Sequence, residues 1–404
     1  MSEPEPPPIH SRLETAGVLL YVVMAASVAV RLALESDLAR QNVWFKVFAP
    51  AARAFADGAP MYAEASGFRY PPLAAAAMVP FTWLGPLAGS VVWRWSMLLF
   101  LALAVRACFR AGFPFAPTSR ERGVFWLLTT LGVVGSANIG QPNTLVLGCL
   151  LFAALAAWRG RNTTAASCVV AATAIKVYPL SLGLVLAVLR PRMWLPLGLG
   201  VAAIVGLPFL LQEHGYVAAQ YEALFDLLRA EDRTGLPENA YRDLRSLAAA
   251  CGVPIGRTTF TLLQVATGGA IALLCHRLRR RGLAAERVFE YALGLTICWC
   301  LLLGPATERV TYALLGPSIG WGMLAAWRRV SRGDRVAWTA LVISYLADHF
   351  IPSLNRAWQH EHPWTRQNLV ATALCATLLL VHRALRDGWN VGPEGATMAG
   401  RGAP

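Results

Sequence analysis

The stretch Ala165-Ala166-Ser167-Cys168-Val169-Val170-Ala171-Ala172-Thr173-Ala174-Ile175-Lys176-Val177-Tyr178-Pro179-Leu180 decides how this chain is read. It is small and apolar nearly throughout and carries one charge, Lys176. The chain has one other lysine, Lys46, and arginine supplies the rest of the basic charge. An ammonium at membrane depth costs roughly 2.5–3.5 kcal/mol on insertion scales, so such a residue faces a polar cavity or a partner.

Runs of this kind recur from about residue 17 to about residue 382. Of the 404 residues, 56% are hydrophobic and 15% charged, whereas soluble domains are about 45–50% apolar and about 25% charged. The mean hydropathy is +0.47. These features describe an all-α polytopic membrane protein. Segments of a transmembrane β-barrel would alternate in polarity over about 10 residues, and these do not. The net charge of +13 would point to nucleic acid in a soluble protein. Here the arginines cluster in short loops between apolar runs, which is an orientation signal, and no nucleic-acid partner is expected.

The spacing predicts one polytopic domain over residues 16–387, between an acidic, proline-rich tail at 1–15 and a tail at 388–404. The start lacks the basic region of a secretory signal, so the first apolar run is expected to be a retained helix. Apolar segments fall at 16–35, 71–84, 88–108, 123–138, 143–158, 163–176, 177–189, 193–211, 258–276, 288–303, 309–326, 336–351 and 368–382. Several are shorter than the ~20 residues of a full crossing, which gives about 11–13 transmembrane or partial-membrane helices.

Arginine clusters at 106–122, 159–161, 190–192, 277–287, 328–335 and 383–386 set one side as cytoplasmic. Residues 163–189 then leave and return, with Lys176–Pro179 at the outer turn, since a proline disfavours helix in the residue before it. With the N-terminus inside, parity makes 71–84, with three prolines, a partial crossing, or else 163–189 is one span and Arg159 and Arg161 lie outside. The opposite side collects the first outer loop 36–70, Gln141-Pro142-Asn143, the Lys176 turn, the large outer loop 212–256, the segment from Gly304 to Arg309, and 352–366. Arginine placement alone chose the sides, yet the polar motifs converge on one face. A multi-pass protein of the inner (plasma) membrane with its site on the outer face is expected.

Each polar motif has two readings. Lys176 pairs with a carboxylate or with a lipid phosphate, which would keep the amine charged and offset its desolvation. Gln141 and Asn143 cap helix ends or hold a ligand. Thr307-Glu308-Arg309 follows Gly304-Pro305 at an expected helix start, a ready anion site with Arg309. Glu308 is a base there or a first-turn acid. Loop 212–256, with Asp232 and Arg233, suits sugar and phosphate recognition or a solvated helical connector. Residues 47–56 have the pattern of a short amphipathic helix at the interface. His360, Glu361 and His362 are too close in sequence to share a helical face, so neither a metal nor a cofactor is expected. The eight cysteines read as small buried hydrophobes.

Four motifs in order resemble glycosyltransferase family 87, in the GT-C class of membrane glycosyltransferases. They are Tyr70-Pro71-Pro72-Leu73 with Pro80, after a loop containing Gly58 and Tyr62; Gly140-Gln141-Pro142-Asn143; Lys176-Val177-Tyr178-Pro179; and Gly304-Pro305-Ala306-Thr307-Glu308. The likeness spans roughly residues 37–325. It implies a GT-C-like fold with short amphipathic helices in its outer loops. It implies a polyprenyl-phosphate sugar donor, usually mannose, used at the outer face with inversion, and a lipid or glycan acceptor. An acid in the first outer loop would be the general base. Family members often carry an aspartate about fourteen residues before the loop glycine, where this chain has Trp44 with Asn42 beside it. The base is then expected at Asp37, Asp232 or Glu308, with donor phosphate at Lys176, Arg309 and Arg233. Tyr70, Gln141, Asn143 and Tyr178 are the expected substrate contacts. The rival readings are a transporter or flippase of a lipid-linked or anionic substrate, and a catalytically silent membrane scaffold.

Overall fold

The computed structural model describes residues 12–35, 37, 42–62, 67–230, 241–304, 307–329, 331–350 and 367–389. Among these residues every regular element is a helix, so each backbone polar group within a span is satisfied inside its own segment, as a lipid environment requires. The chain is an all-α polytopic membrane protein. Among the described residues, four helices are long and apolar enough to cross a bilayer. These are α1 (Arg12–Leu34), α4 (Pro86–Ala111), α13 (Arg257–Arg280) and α17 (Asn368–Trp389). Helix α1 starts four residues before the expected apolar run, because Glu14 in its first turn pairs with Arg122 at 2.7 Å.

Between these lie α2 (Ala49–Ala56), α3 (Pro72–Thr82), α5 (Ser119–Ile139), α6 (Asn143–Trp158), α7 (Asn162–Ile175), α8 (Leu180–Leu189), α9 (Trp194–Gly206), α10 (Pro208–Leu211), α11 (His214–Ala230) and α12 (Leu244–Ala250). After α13 come α14 (Ala285–Leu303), α15 (Gly316–Arg328) and α16 (Arg332–Phe350). Helix α3 has 11 residues, about 16 Å at 1.5 Å per residue, which is too short for a hydrocarbon core of about 30 Å. The expected helix at 309–326 is two elements. Arg309–Leu315 is a 3₁₀ segment, and the α-helix begins only at Gly316. Pro317 lacks the N–H that would continue an α-ladder through this point.

Burial separates the centre from the rim. In α6, 13 of 16 residues are buried, so it is the central post of the bundle. Helix α7 lies against it and fully buries Ala165, Ala166 and Val169, and small residues allow close approach between helices. Helix α13 buries only Cys275 and Leu278 and forms the rim. A second core forms around the segment between α1 and α3. Trp44, in a π-helical turn at Trp44–Phe48, packs with Phe48, Phe55, Phe68, Met78, Trp93 and Leu224. The amphipathic pattern at 47–56 is the reason: α2 buries Ala49, Ala51, Ala52 and Phe55 against α3.

The arginine-rich loops meet at one end. Arg328 binds Glu121 at 2.6 Å and lies over the Phe115 ring. Arg190 donates to the carbonyls of Ala157 and Trp158. Glu290 pairs with Arg383 at 3.0 Å and Arg287 at 2.7 Å, and Asp387 pairs with Arg329 at 2.7 Å. The polar motifs gather at the other end.

Candidate active site

The site is assembled from three helix breaks. The first is the α5–α6 junction. Gly140 adopts a left-handed φ of 77° at the end of α5, and the Gln141 amide N–H reaches back to the Ser136 carbonyl at 3.0 Å. This is the Schellman arrangement that glycine favours. Pro142 then opens α6. The turn buries Gln141, and its side-chain amide donates to Glu308 Oε2 at 2.7 Å.

The second break is the α7–α8 turn. Lys176 is extended, with φ −138° and ψ 133°, at the end of α7, and Pro179 precedes α8. The Lys176 ammonium lies 5.7 Å from the centre of the Tyr178 ring. Burial pushes the Lys176 amine down to about 8, and the negative charge of Glu308 opposes that shift. The Tyr178 hydroxyl approaches Asn143 Oδ1 at 3.5 Å. Its own proton is held tightly, by burial first and then by the neighbouring groups Cys300, Tyr70 and Glu308.

The third break follows α14. Glu308 is extended, with φ −97° and ψ 162°, and the Thr307 carbonyl accepts from the Arg242 amide at 2.7 Å. The Tyr312 hydroxyl donates to the Arg242 carbonyl at 3.0 Å, so the returning end of the large loop is sewn to this segment. Tyr70 enters from the first loop. Its ring packs 5.0 Å from Phe48 and 5.4 Å from Phe68, and its carbonyl accepts from the Tyr62 hydroxyl at 2.6 Å. Burial raises the Tyr70 hydroxyl, and the Glu308 charge raises it further.

Lys176, Glu308, Gln141, Tyr70, Tyr178 and Asn143 therefore come together from four separate parts of the sequence. Within this group, Gln141 Oε1 and Asn143 Nδ2 are buried without a hydrogen-bond partner among the described residues, as is Thr144 Oγ1 beside them. Buried polar atoms are usually paired, and these three stand beside the Gln141–Glu308 pair. A carboxylate held by an amide can take a proton, and an ammonium beside it can stabilise a developing anion.

Other expected site residues are placed differently. Asp37 lies three residues past α1 and is exposed. Asp232 and Arg233 lie outside the described residues, as do His360, Glu361 and His362. Arg309 turns its guanidinium to the His349 carbonyl at the end of α16, and it sits on a 3₁₀ segment instead of an α-helical N-terminus. Trp44 is 1% exposed and stacks on Trp93 at 5.9 Å. It is part of the second core. Sequence reading missed Arg94, which is fully buried against the end of α5. The signal was available: like Lys176, it is an isolated charge in an apolar run.

Apolar spans with a carboxylate, an amide and an ammonium converging at one end have the make-up of a membrane enzyme. The profile of glycosyltransferase family 87 matches residues 68–305, more than half of the chain, and the chain belongs to that family. It is a glycosyltransferase. Among solved structures it is similar to that of ArnT from Cupriavidus metallidurans bound to undecaprenyl phosphate. The identity is 15%, the likeness covers 92% of this chain and 78% of that one, and the TM-score is 0.36. No curated protein matches the chain.

Proposed function

We propose that the chain transfers a hexose, mannose by family resemblance, from a polyprenyl-phosphate donor to a lipid or glycan acceptor at the outer face of the inner membrane, with inversion. The observation that carries the reading is the Gln141–Glu308 hydrogen bond of 2.7 Å in a group where Glu308 and Lys176 feel each other's charge. An inverting transfer needs a carboxylate to take the acceptor's proton as its oxygen attacks the sugar. Glu308 has that role. Its amide partner leaves one carboxylate oxygen to face the acceptor. The donor's phosphate must leave as an anion, and Lys176 neutralises it. Binding a phosphate also offsets the desolvation that pushes the amine down to about 8. Tyr70, Tyr178 and Asn143 line the sugar, and the unpartnered atoms of Gln141 and Asn143 meet its hydroxyls. Asp37 and Arg309 are assigned no part in the chemistry. Membership in a glycosyltransferase family counts against the transporter and scaffold readings.

The test is transfer of label from a polyprenyl-phosphate mannose to acceptors in a membrane extract, with the protein reconstituted. Wild type is expected to label an acceptor, Glu308→Gln and Lys176→Ala to fail, and Asp37→Asn to work. Loss of transfer in Asp37→Asn alone would move the base to Asp37. Absence of transfer by wild type would remove the proposed reaction.

A further inference from the structure

We propose that Arg94 is a positioning residue of this site: its buried guanidinium locks the end of α5 and so fixes the Gln141 amide that holds Glu308. The inference rests on the reading of Glu308 as the base. Arg94 is 0% exposed on α4, and no acidic side chain pairs with it among the described residues. A buried cation without a counter-charge is costly unless hydrogen bonds satisfy it. A guanidinium has five N–H donors, and all five are used. Nε donates to the Ala137 carbonyl at 3.0 Å. One terminal nitrogen donates to the Ser90 carbonyl at 3.1 Å and to the Ser90 hydroxyl. The other donates to Asn42 Oδ1 at 2.8 Å and to the Asn138 carbonyl at 3.3 Å.

Two of those acceptors are carbonyls of the last turn of α5, the negative end of its dipole. The neighbouring Trp93 indole donates to the Gly140 carbonyl at 3.1 Å. Residues 93 and 94 thus grip residues 137, 138 and 140, directly before Gln141. A Cβ on Gly140 would lie 2.8 Å from the Arg94 guanidinium, so the turn and the arginine are fitted to each other. Asn42 adds the first loop to the same clamp and also accepts from the Trp44 amide at 3.2 Å. One side chain therefore joins α4, the α5 end and the first loop behind the Gln141–Glu308 pair. Lysine cannot replace it, because three donors on one nitrogen do not reproduce this fork.

The experiment has two arms. Hydrogen exchange is followed by mass spectrometry on reconstituted wild type, Arg94→Lys, Asn42→Ala and Asn42→Asp. Arg94→Lys is expected to speed exchange over residues 137–146 by about tenfold or more, leaving residues 172–183 unchanged. Asn42→Ala, which removes one bond of five and keeps the fold, follows in the same direction, and Asn42→Asp, which keeps an acceptor, stays near wild type. In the second arm, Arg94→Lys lowers kcat for sugar transfer by roughly 100-fold with donor KM little changed, the scale set by a misplacement of about 1 Å. In a Gln141→Ala background the same change costs little more, because both act through one contact. Uniform loss of protection across the protein, or unchanged exchange at 137–146, overturns the proposal, as do additive effects on kcat. If wild type transfers no sugar, the proposed reaction fails while the exchange arm still decides the role of Arg94.

Discussion

In the proposed reaction Glu308 and Lys176 divide the chemistry between them, and each can be tested alone. Replacing Lys176 with alanine is expected to weaken donor affinity by roughly 10–100-fold, equivalent to a charge-assisted bond of about 1.5–3 kcal/mol, in a binding titration with a polyprenyl-phosphate sugar. The amine sits at about 8 in the free protein, lowered chiefly by burial, and a bound phosphate raises it. Protonation and donor binding therefore favour each other. Affinity should be full below about pH 8 and fall as pH rises through it. The donor is a phosphodiester of constant charge over this range, so a titration between pH 6.5 and 9.5 reads Lys176 directly. Lys176→Arg, which stays charged, should flatten that dependence. A pH-independent affinity in wild type would assign the phosphate to another group.

At the scale of elements, the site depends on where helices stop. Gly140 is the sharpest case, since its φ is 77° and a Cβ there would meet Arg94 at 2.8 Å. The Gly140→Ala variant is expected to lose at least about 1–2 kcal/mol from the left-handed conformation alone, read as a lower melting temperature in detergent, and to lose transfer activity in the folded fraction. Much of this was legible. Pro142 and Pro179 announced the breaks, and the lone charge of Lys176 marked the α7–α8 turn. The amphipathic spacing of residues 47–56 gave α2. The 3₁₀ segment itself was not legible: Pro317 marks a break within 309–326, but apolar periodicity does not register a change of ladder before it. Arg94 was passed over because an arginine on an apolar helix reads equally well as reaching toward the interface. Only the α5 carbonyls, brought to it by tertiary packing, show where its charge goes.

At the scale of the whole molecule, the two ends do different work. One end holds the polar motifs. The other is fastened by ion pairs in which Glu290 and Arg383, 4% and 3% exposed, meet at 3.0 Å across α14 and α17. Removing one partner of a buried pair costs about 3–5 kcal/mol, so Glu290→Gln should lower thermal stability strongly. Donor affinity in the folded protein should be unchanged, because this network is at the opposite end from Lys176. The fold class and the sorting of motifs to one face followed from arginine placement and apolar runs. The joining of residues 70, 141, 176 and 308 was foreseen only as a shared side, since sequence order gives no distance between helix ends. The central claim is that Glu308 takes the acceptor's proton while Lys176 holds the donor. The most direct measurement compares wild type and Glu308→Gln for both donor binding and sugar transfer in the same vesicles. The account expects binding kept and transfer reduced at least about 100-fold, the usual worth of a general base; transfer at the wild-type rate by Glu308→Gln would contradict it.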